Sequence, residues 1–370
     1  MCLGVSSERE EKAMKNKKKF LIGCAVLTAV GIVMSVAGTA MGGIVYNVRL
    51  GADGLHVTAP ALQDDLKERT GYNEKKETLD AFHSVEIALE YADVRVKESE
   101  TDEYQVNYSL PKAQEIEYGV SNGKLVLKNK QKRMFAFGDI SFFSIGYEPE
   151  QLRNAPQAII SVPKGSVLTE VNVETESGNV DCQDIQADNL KLITDYGDIK
   201  LQNVQSDKTQ IGLESGNLYM EQVQGTSCKL RNEYGNITIE NATFKEDMNV
   251  KLESGDISYQ NARMRDLILE SSYGKVAGQQ IKLRGLQAKL ESSPCTWNEI
   301  KLDRCEIEAE YGNVDLVLTN PLLEYEYDLK TEYGDITIDD EKMGETYRSI
   351  EHGKSGNIII RCESGDIDVK

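Results

Sequence analysis

Histidine is nearly absent from this chain. Only His56, His83 and His352 occur in 370 residues, far apart in sequence. A serine hydrolase needs an imidazole partnered to its nucleophile, and nothing here marks one. No His-Glu-x-x-His, Cys-x-x-Cys or glycine-rich phosphate loop is present. Tryptophan is limited to Trp297, and no Trp-Asp blade signature appears. Basic charge is in deficit. Lys and Arg total 42 against 61 Asp and Glu, a net −19. Setting aside residues 1–46, with six basic and three acidic residues, leaves 36 basic against 58 acidic, a net −22. A nucleic-acid-binding protein carries a basic face, so that class is excluded. Cysteines number seven, and five of them (Cys182, Cys228, Cys295, Cys305 and Cys362) lie beyond the N-terminal apolar stretch. An odd number leaves at least one unpaired.

That apolar stretch is the first positive feature. Residues 1–19 hold Arg9, Lys12, Lys15, Lys17, Lys18 and Lys19 against Glu8, Glu10 and Glu11. Phe20 to Val48 then runs without a charge. Crossing a bilayer takes ~20 apolar residues, so 20–48 is expected to be a transmembrane helix. Lysines before it and none directly after place 1–19 in the cytoplasm and the rest outside. A cleaved signal peptide ending at Gly38-Thr39-Ala40 is the competing reading, but the apolar run continues past Ala40. Leu21-Ile22-Gly23-Cys24 imitates a lipobox but lacks an apolar region before its cysteine. Residues 49–79 are dense in charge and read as a linker, with a short helix possible at 61–69.

The rest of the chain is organised by a repeated turn. It is written Glu176-Ser177-Gly178-Asn179, Asp195-Tyr196-Gly197-Asp198, Glu214-Ser215-Gly216-Asn217, Glu233-Tyr234-Gly235-Asn236 and Glu253-Ser254-Gly255-Asp256. Further copies centre on Gly274, Ser293, Gly312 and Gly334, and two more lie around Gly356 and Gly365. From Gly178 to Gly334 the intervals are 19, 19, 19, 20, 19, 19, 19 and 22 residues. A fixed period of this size is the signature of a repeat architecture. Counting from each glycine, apolar or small residues recur at +2, +4, +7, +9, +12, +14 and +16. Val276, Gly278, Ile281, Leu283, Leu286, Ala288 and Leu290 form one such set. Period-two alternation means strands with one buried face, and the two phase slips mean corners. One coil cannot bury its inner face alone, whereas stacked coils share a continuous core.

The expected fold is therefore all-β. It is a parallel β-solenoid of about 19-residue coils behind one N-terminal transmembrane helix. A propeller is the rival, since two coils would supply four strands. A corner needing positive φ in every coil favours the solenoid. Residues 80–165 read as irregular N-terminal β coils interrupted by an aromatic insertion at 131–155, and 166–370 as regular repeats.

Ile160-Ser161-Val162-Pro163-Lys164-Gly165, followed by Val171-Asn172-Val173-Glu174-Thr175-Glu176-Ser177-Gly178-Asn179-Val180, resembles the putative-adhesin domain family. The resemblance covers about 80–370. It implies a Gram-positive cell-envelope protein behind a single membrane anchor, and it brings no catalytic residues with it.

Two stretches are candidate binding sites. The residue two before each glycine forms an acidic column, with Glu214, Glu233, Glu253, Glu291 and Glu310 as its members of interest. Stacked carboxylates repel, so cationic peptides or divalent ions could relieve them. Solvent, salt and neighbouring Lys229 and Lys251 are the simpler means of relief. Phe135, Phe137, Phe142, Phe143 and Tyr147 form the second candidate, a partner or lipid-headgroup loop. No cofactor or metal site is expected, the calcium nonapeptide Gly-Gly-x-Gly-x-Asp being missing. The expected role is an extracytoplasmic binding or scaffold module, its partner an envelope protein, a cell-wall polymer or a cationic peptide. An envelope-stress accessory sensing cationic peptides is the alternative. A polysaccharide-active enzyme is a further one, since solenoids host carboxylate pairs, with Asp184, Asp188 and Asp207 available.

Overall fold

The computed structural model describes residues 47–51, 54–58, 72–112, 114–130, 156–349, 354 and 356–370. They fall in two units, Met1–Gly71 and Tyr72–Lys370. In the first unit, Asn47–Gly51 and Gly54–Thr58 pair as an antiparallel hairpin. The expected membrane helix at 20–48 lies outside the described residues, apart from Asn47 and Val48, which open that hairpin. The basic tail 1–19, the possible helix at 61–69 and the insertion 131–155 also lie outside them. Among the described residues no helix is long and apolar enough to cross a membrane.

In the second unit each coil follows the expected frame. The chain runs along one strand to the glycine, turns, runs along a second, turns again, and touches a short third side. Val167↔Gln186, Gln186↔Gln205, Gln205↔Gln224 and Gln224↔Thr243 trace that third side, with single bridges continuing it from Thr243 to Lys301. Pairing between coils is parallel and in register, with Val180↔Ile199, Ile199↔Leu218 and Leu218↔Ile237 as one inward column. All the inward positions named for the Gly274 coil are buried, as are Cys295, Trp297, Ile300, Leu302, Cys305, Ile307 and Ala309 of the next. Each buried Leu, Ile or Val contributes roughly 1.5–3 kcal/mol. All five described cysteines are buried and unpaired. Burial pushes the Cys295 thiol up to about 12, so these are core side chains.

Both corners are specific. At the first, Gly235 has φ 129°, and a Cβ there would come within 2.0 Å of the Gly216 carbonyl oxygen one coil below. The glycines therefore stack backbone on backbone, which only glycine permits. At the second, six residues on, Asp184, Asn203, Gln222, Asn241, Asn261, Gln280 and Glu299 all adopt positive φ of 49° to 58°. The sequence reading expected a corner here but not a second left-handed column. Four of the seven are Asn or Asp, whose short polar side chains tolerate that conformation and bond their neighbours. Asn261 Nδ2 donates to Asn241 Oδ1 at 2.7 Å, and Asn203 Nδ2 to Asp184 Oδ1 at 2.6 Å.

A further ladder follows the glycine. The side-chain oxygen of Asp93, Asn179, Asp198, Asn217, Asn236 and Asp256 each accepts the backbone N–H of the matching residue in the next coil, at 2.7–3.0 Å. It stops at Lys275, which carries no acceptor oxygen, and the next coil has Pro294 there, which has no N–H to satisfy. It resumes from Asn313 to Asp366 and from Asp366 to Asp335. In the core, Tyr259 and Trp297 lie two coils apart with ring centroids 5.8 Å apart. Gly278 occupies the coil between them, and a Cβ there would come within 2.2 Å of the indole.

The ends depart from the expected chain order. Gly356–Ser364 pairs on one side with Arg304–Tyr311 and on the other with Tyr325–Tyr333. The coil at 356–370 is thus inserted between two coils that precede it in sequence, so 166–370 is regular in chain order only as far as Leu318. The same happens at the other end. Ser84–Tyr91 lies between Lys124–Asn129 and Val167–Ser177. Antiparallel strands then close each edge. Tyr72–Thr78 and Ile116–Ser121 do so at the N-terminal end, and Glu341–Gly344 with Thr346–Ser349 at the other. The linker expected at 49–79 is corrected here, because Tyr72–Thr78 is an edge strand. Its Glu74-Lys75-Lys76-Glu77 core has no apolar alternation because an edge strand faces water. Charge at an edge also discourages pairing with other chains.

Candidate functional site

Strands that end one residue before each glycine bring the acidic column together. Leu213↔Asn232 and Ser215↔Tyr234 set Glu214 beside Glu233, and Asn232↔Leu252 with Tyr234↔Ser254 set Glu233 beside Glu253. Ser272 occupies the next coil, followed by Glu291 and Glu310. All the named glutamates are exposed or half-buried. The inserted coil extends the column in a way chain order hides. Its Glu363 lies between Glu310 and Glu332, since Tyr311 and Tyr333 both pair with Ser364. Neighbouring carboxylates about one strand spacing apart, ~4.8 Å, repel by roughly 1 kcal/mol in a water-like dielectric.

Counter-charges lie on the same strands two residues earlier. Lys251 pairs with Glu270 at 2.9 Å and Lys289 with Glu308 at 3.7 Å. Lys251, one of the two lysines expected to offset part of the column's repulsion, takes Glu270 as its ion-pair partner and lies close enough to Glu253 to interact with it as well. The hydrogen bond to Glu270 holds the Lys251 ammonium above the usual lysine range. Within the column, Glu233 meets Arg231 at 3.2 Å and Glu332 meets Lys330 at 3.2 Å. Exposed pairs of this kind contribute roughly 0–1 kcal/mol, and the carboxylates along the ridge outnumber the cations, so it remains acidic. An open groove of about 580 Å³ runs along it, lined by Lys251, Lys289, Lys330 and Arg361 together with Glu270, Glu291, Glu308, Glu310, Glu332 and Glu363.

Beside the acids stands a row of tyrosines. Down the stack the residue before the glycine reads Tyr91, Ser177, Tyr196, Ser215, Tyr234, Ser254, Tyr273, Ser292, Tyr311, Ser364, Tyr333. The tyrosines are 54 % to 76 % exposed. In chain order Tyr333 follows Tyr311 without a serine copy between them, and only the stack, through Ser364, completes the alternation. Phe135, Phe137, Phe142, Phe143 and Tyr147 lie outside the described residues. Among the described residues no cluster of three or more His, Cys, Asp or Glu is arranged to hold a metal ion. Asp184 sits in the second left-handed corner, bonded to Asn203, and faces a separate polar groove of about 280 Å³.

No curated protein matches the chain. Among solved structures, a putative adhesin from Parabacteroides distasonis ATCC 8503 is 12 % identical over 67 % of this chain and 98 % of its own, with a TM-score of 0.45. A putative lipid binding protein from the same organism is 12 % identical over 81 % and 97 %, with a TM-score of 0.37. A putative adhesin from Bacteroides fragilis NCTC 9343 is 12 % identical over 81 % and 97 %, with a TM-score of 0.24. The Toastrack DUF4097 family model matches residues 82–265 and 245–370, most of the chain, and the chain belongs to that family.

Proposed function

We propose that this protein is a membrane-anchored, extracytoplasmic β-solenoid of a Gram-positive type of cell envelope, and that it works as an adhesin-like binding scaffold rather than as a catalyst. Its binding face is the acidic corner. The observation that carries this is the extension of the column through the inserted coil, where Glu363 from a distant segment joins Glu310 and Glu332. Packing does not require carboxylates on an exposed corner, and their mutual repulsion costs stability. A cationic partner relieves that repulsion on binding. Sensing cationic peptides at the envelope is one use of the same surface.

Location rests on the lysine-rich flank ahead of the charge-free run Phe20 to Val48. A reporter that is active only outside the cytoplasm, fused after Pro60, is expected to be active. A fusion at that point that works only with a cytoplasmic reporter overturns the location. For binding, the full-length chain in detergent is titrated with polylysine, beside a variant carrying Glu214→Gln, Glu233→Gln and Glu253→Gln. At low salt the variant is expected to bind several-fold more weakly. The difference should shrink as the Debye length falls from about 30 Å at 0.01 M to about 3 Å at 1 M salt. Equal binding by the two proteins at low salt would mean that the column is only a solvated corner.

A further inference from the structure

We propose that the tyrosine row is a docking rail for a basic, proline-rich polypeptide in the polyproline II conformation. The proposal rests on the acidic-corner reading and names the chemistry of its ligand. Tyr91, Tyr196, Tyr234, Tyr273, Tyr311 and Tyr333 stand on every second coil along one corner. At one strand spacing per coil, successive rings are about 9.6 Å apart. A polyproline II helix advances ~3.1 Å per residue with three residues per turn, so it repeats every ~9.3 Å. Every third residue of such a ligand meets a tyrosine, and the mismatch over three intervals is only about 1 Å. An extended strand repeats every ~6.8 Å and an α-helix every ~5.4 Å, and neither stays in step with the row.

The spacing belongs to the folded surface and not to the order of the repeats. In chain order Tyr311 is followed by Tyr333, which breaks the alternation. In the stack Ser364 comes between them and restores it. Serines leave a gap one coil deep between rings, and a proline ring fits such a gap. Charge complementarity selects the sign of the ligand. The acidic column runs immediately beside the tyrosines, so Arg or Lys on the ligand finds a carboxylate and an aromatic face together. Aromatic-lined grooves recognise proline-rich segments in this way because the ligand is already ordered before it binds.

The test uses the full-length chain and a peptide of repeated Pro-Pro-Arg triplets long enough to span the row. A peptide of repeated Gly-Gly-Arg triplets, matched in length and charge, controls for charge alone. A neutral β-1,4-linked oligosaccharide is the third probe. The Pro-Pro-Arg peptide is expected to bind about tenfold more tightly than the Gly-Gly-Arg peptide. Combining Tyr234→Ser, Tyr273→Ser and Tyr311→Ser should abolish that preference. Serine already fills the neighbouring coils at this position, so the corner accommodates it. The corresponding Tyr→Phe variant keeps the rings and should keep the preference. Equal affinity for the two peptides in the parent protein overturns the rail while leaving the acidic-corner reading in place. A tyrosine-dependent affinity for the oligosaccharide without a peptide preference assigns the row to a glycan and also overturns it. Failure of both cationic peptides to bind overturns both readings.

Discussion

Replacing Ile300 by Asp is expected to lower the stability of the coiled unit by more than about 4 kcal/mol, at the extreme of what one substitution does. Ile300 is fully buried, and its strand pairs it with Leu318 of the next coil. Its column continues upstream through Ile281, Ala262, Ala242 and Val223, all buried. An aspartate there has no cation within the core to pair with, so folding would have to desolvate a charge or protonate it. Ile300→Val removes one methyl group and should cost only about 1 kcal/mol. The chain carries a single tryptophan, Trp297, buried three residues away, so its fluorescence reports local unfolding in urea. A wild-type midpoint for the aspartate variant would mean that the inward frame is wrong.

Gly235→Ala is expected to cost about 3–5 kcal/mol, from backbone strain at positive φ together with hydrogen bonds lost as the coils part. The obstacle is the Gly216 carbonyl oxygen, which is backbone and cannot swing aside. Making room separates two coils at the corner. It strains the bonds from Gly216 N–H to the Tyr234 carbonyl at 2.9 Å and from Asn236 N–H to Asn217 Oδ1 at 3.0 Å. Gly119 supplies the comparison, because a Cβ there meets nothing within 4 Å. Gly119→Ala should be neutral or slightly stabilising, since it mainly reduces unfolded-chain entropy. Similar thermal midpoints for the two variants would refute the close-approach argument.

The coil frame was legible because two simple periodicities coincide. Alternation of period two fixes which residues face inward, and the glycine interval fixes where the chain turns. Cys182, Cys228, Cys295 and Cys305 fall on inward positions of that frame, and all are buried. The ladder after the glycine was less visible. Asn and Asp at that position suit a turn equally well, and only the pairing of Lys275 with Pro294 hints at a bond between coils. The Tyr72–Thr78 edge strand was illegible because polar residues on both faces resemble a linker. The insertion of the 356–370 coil was hidden for a different reason. Gly334 and Gly365 look like ordinary further turns, and local patterns carry no information about which coil stacks on which. One clue was present in Tyr333, which follows Tyr311 without an intervening serine copy. The acidic column was legible as far as Glu332, and its passage through Glu363 was not.

The inserted coil also bears on how this protein is made. In an ordinary repeat array each new unit docks on the one synthesised just before it, so contacts stay local and assembly can follow elongation. Here the coil at 304–318 waits for a partner more than 50 residues downstream, as in Arg304↔Asn357. Until residues 356–370 have been translated, the rungs at 304–311 and 325–333 have no strand to join them. Their inner backbone groups stay open to wrong pairings, and closing that gap costs the entropy of a long loop. The topology that locks this end of the mature stack therefore also makes it a slow and vulnerable step of biogenesis, as it does at the other end, where Val85 pairs with Val171.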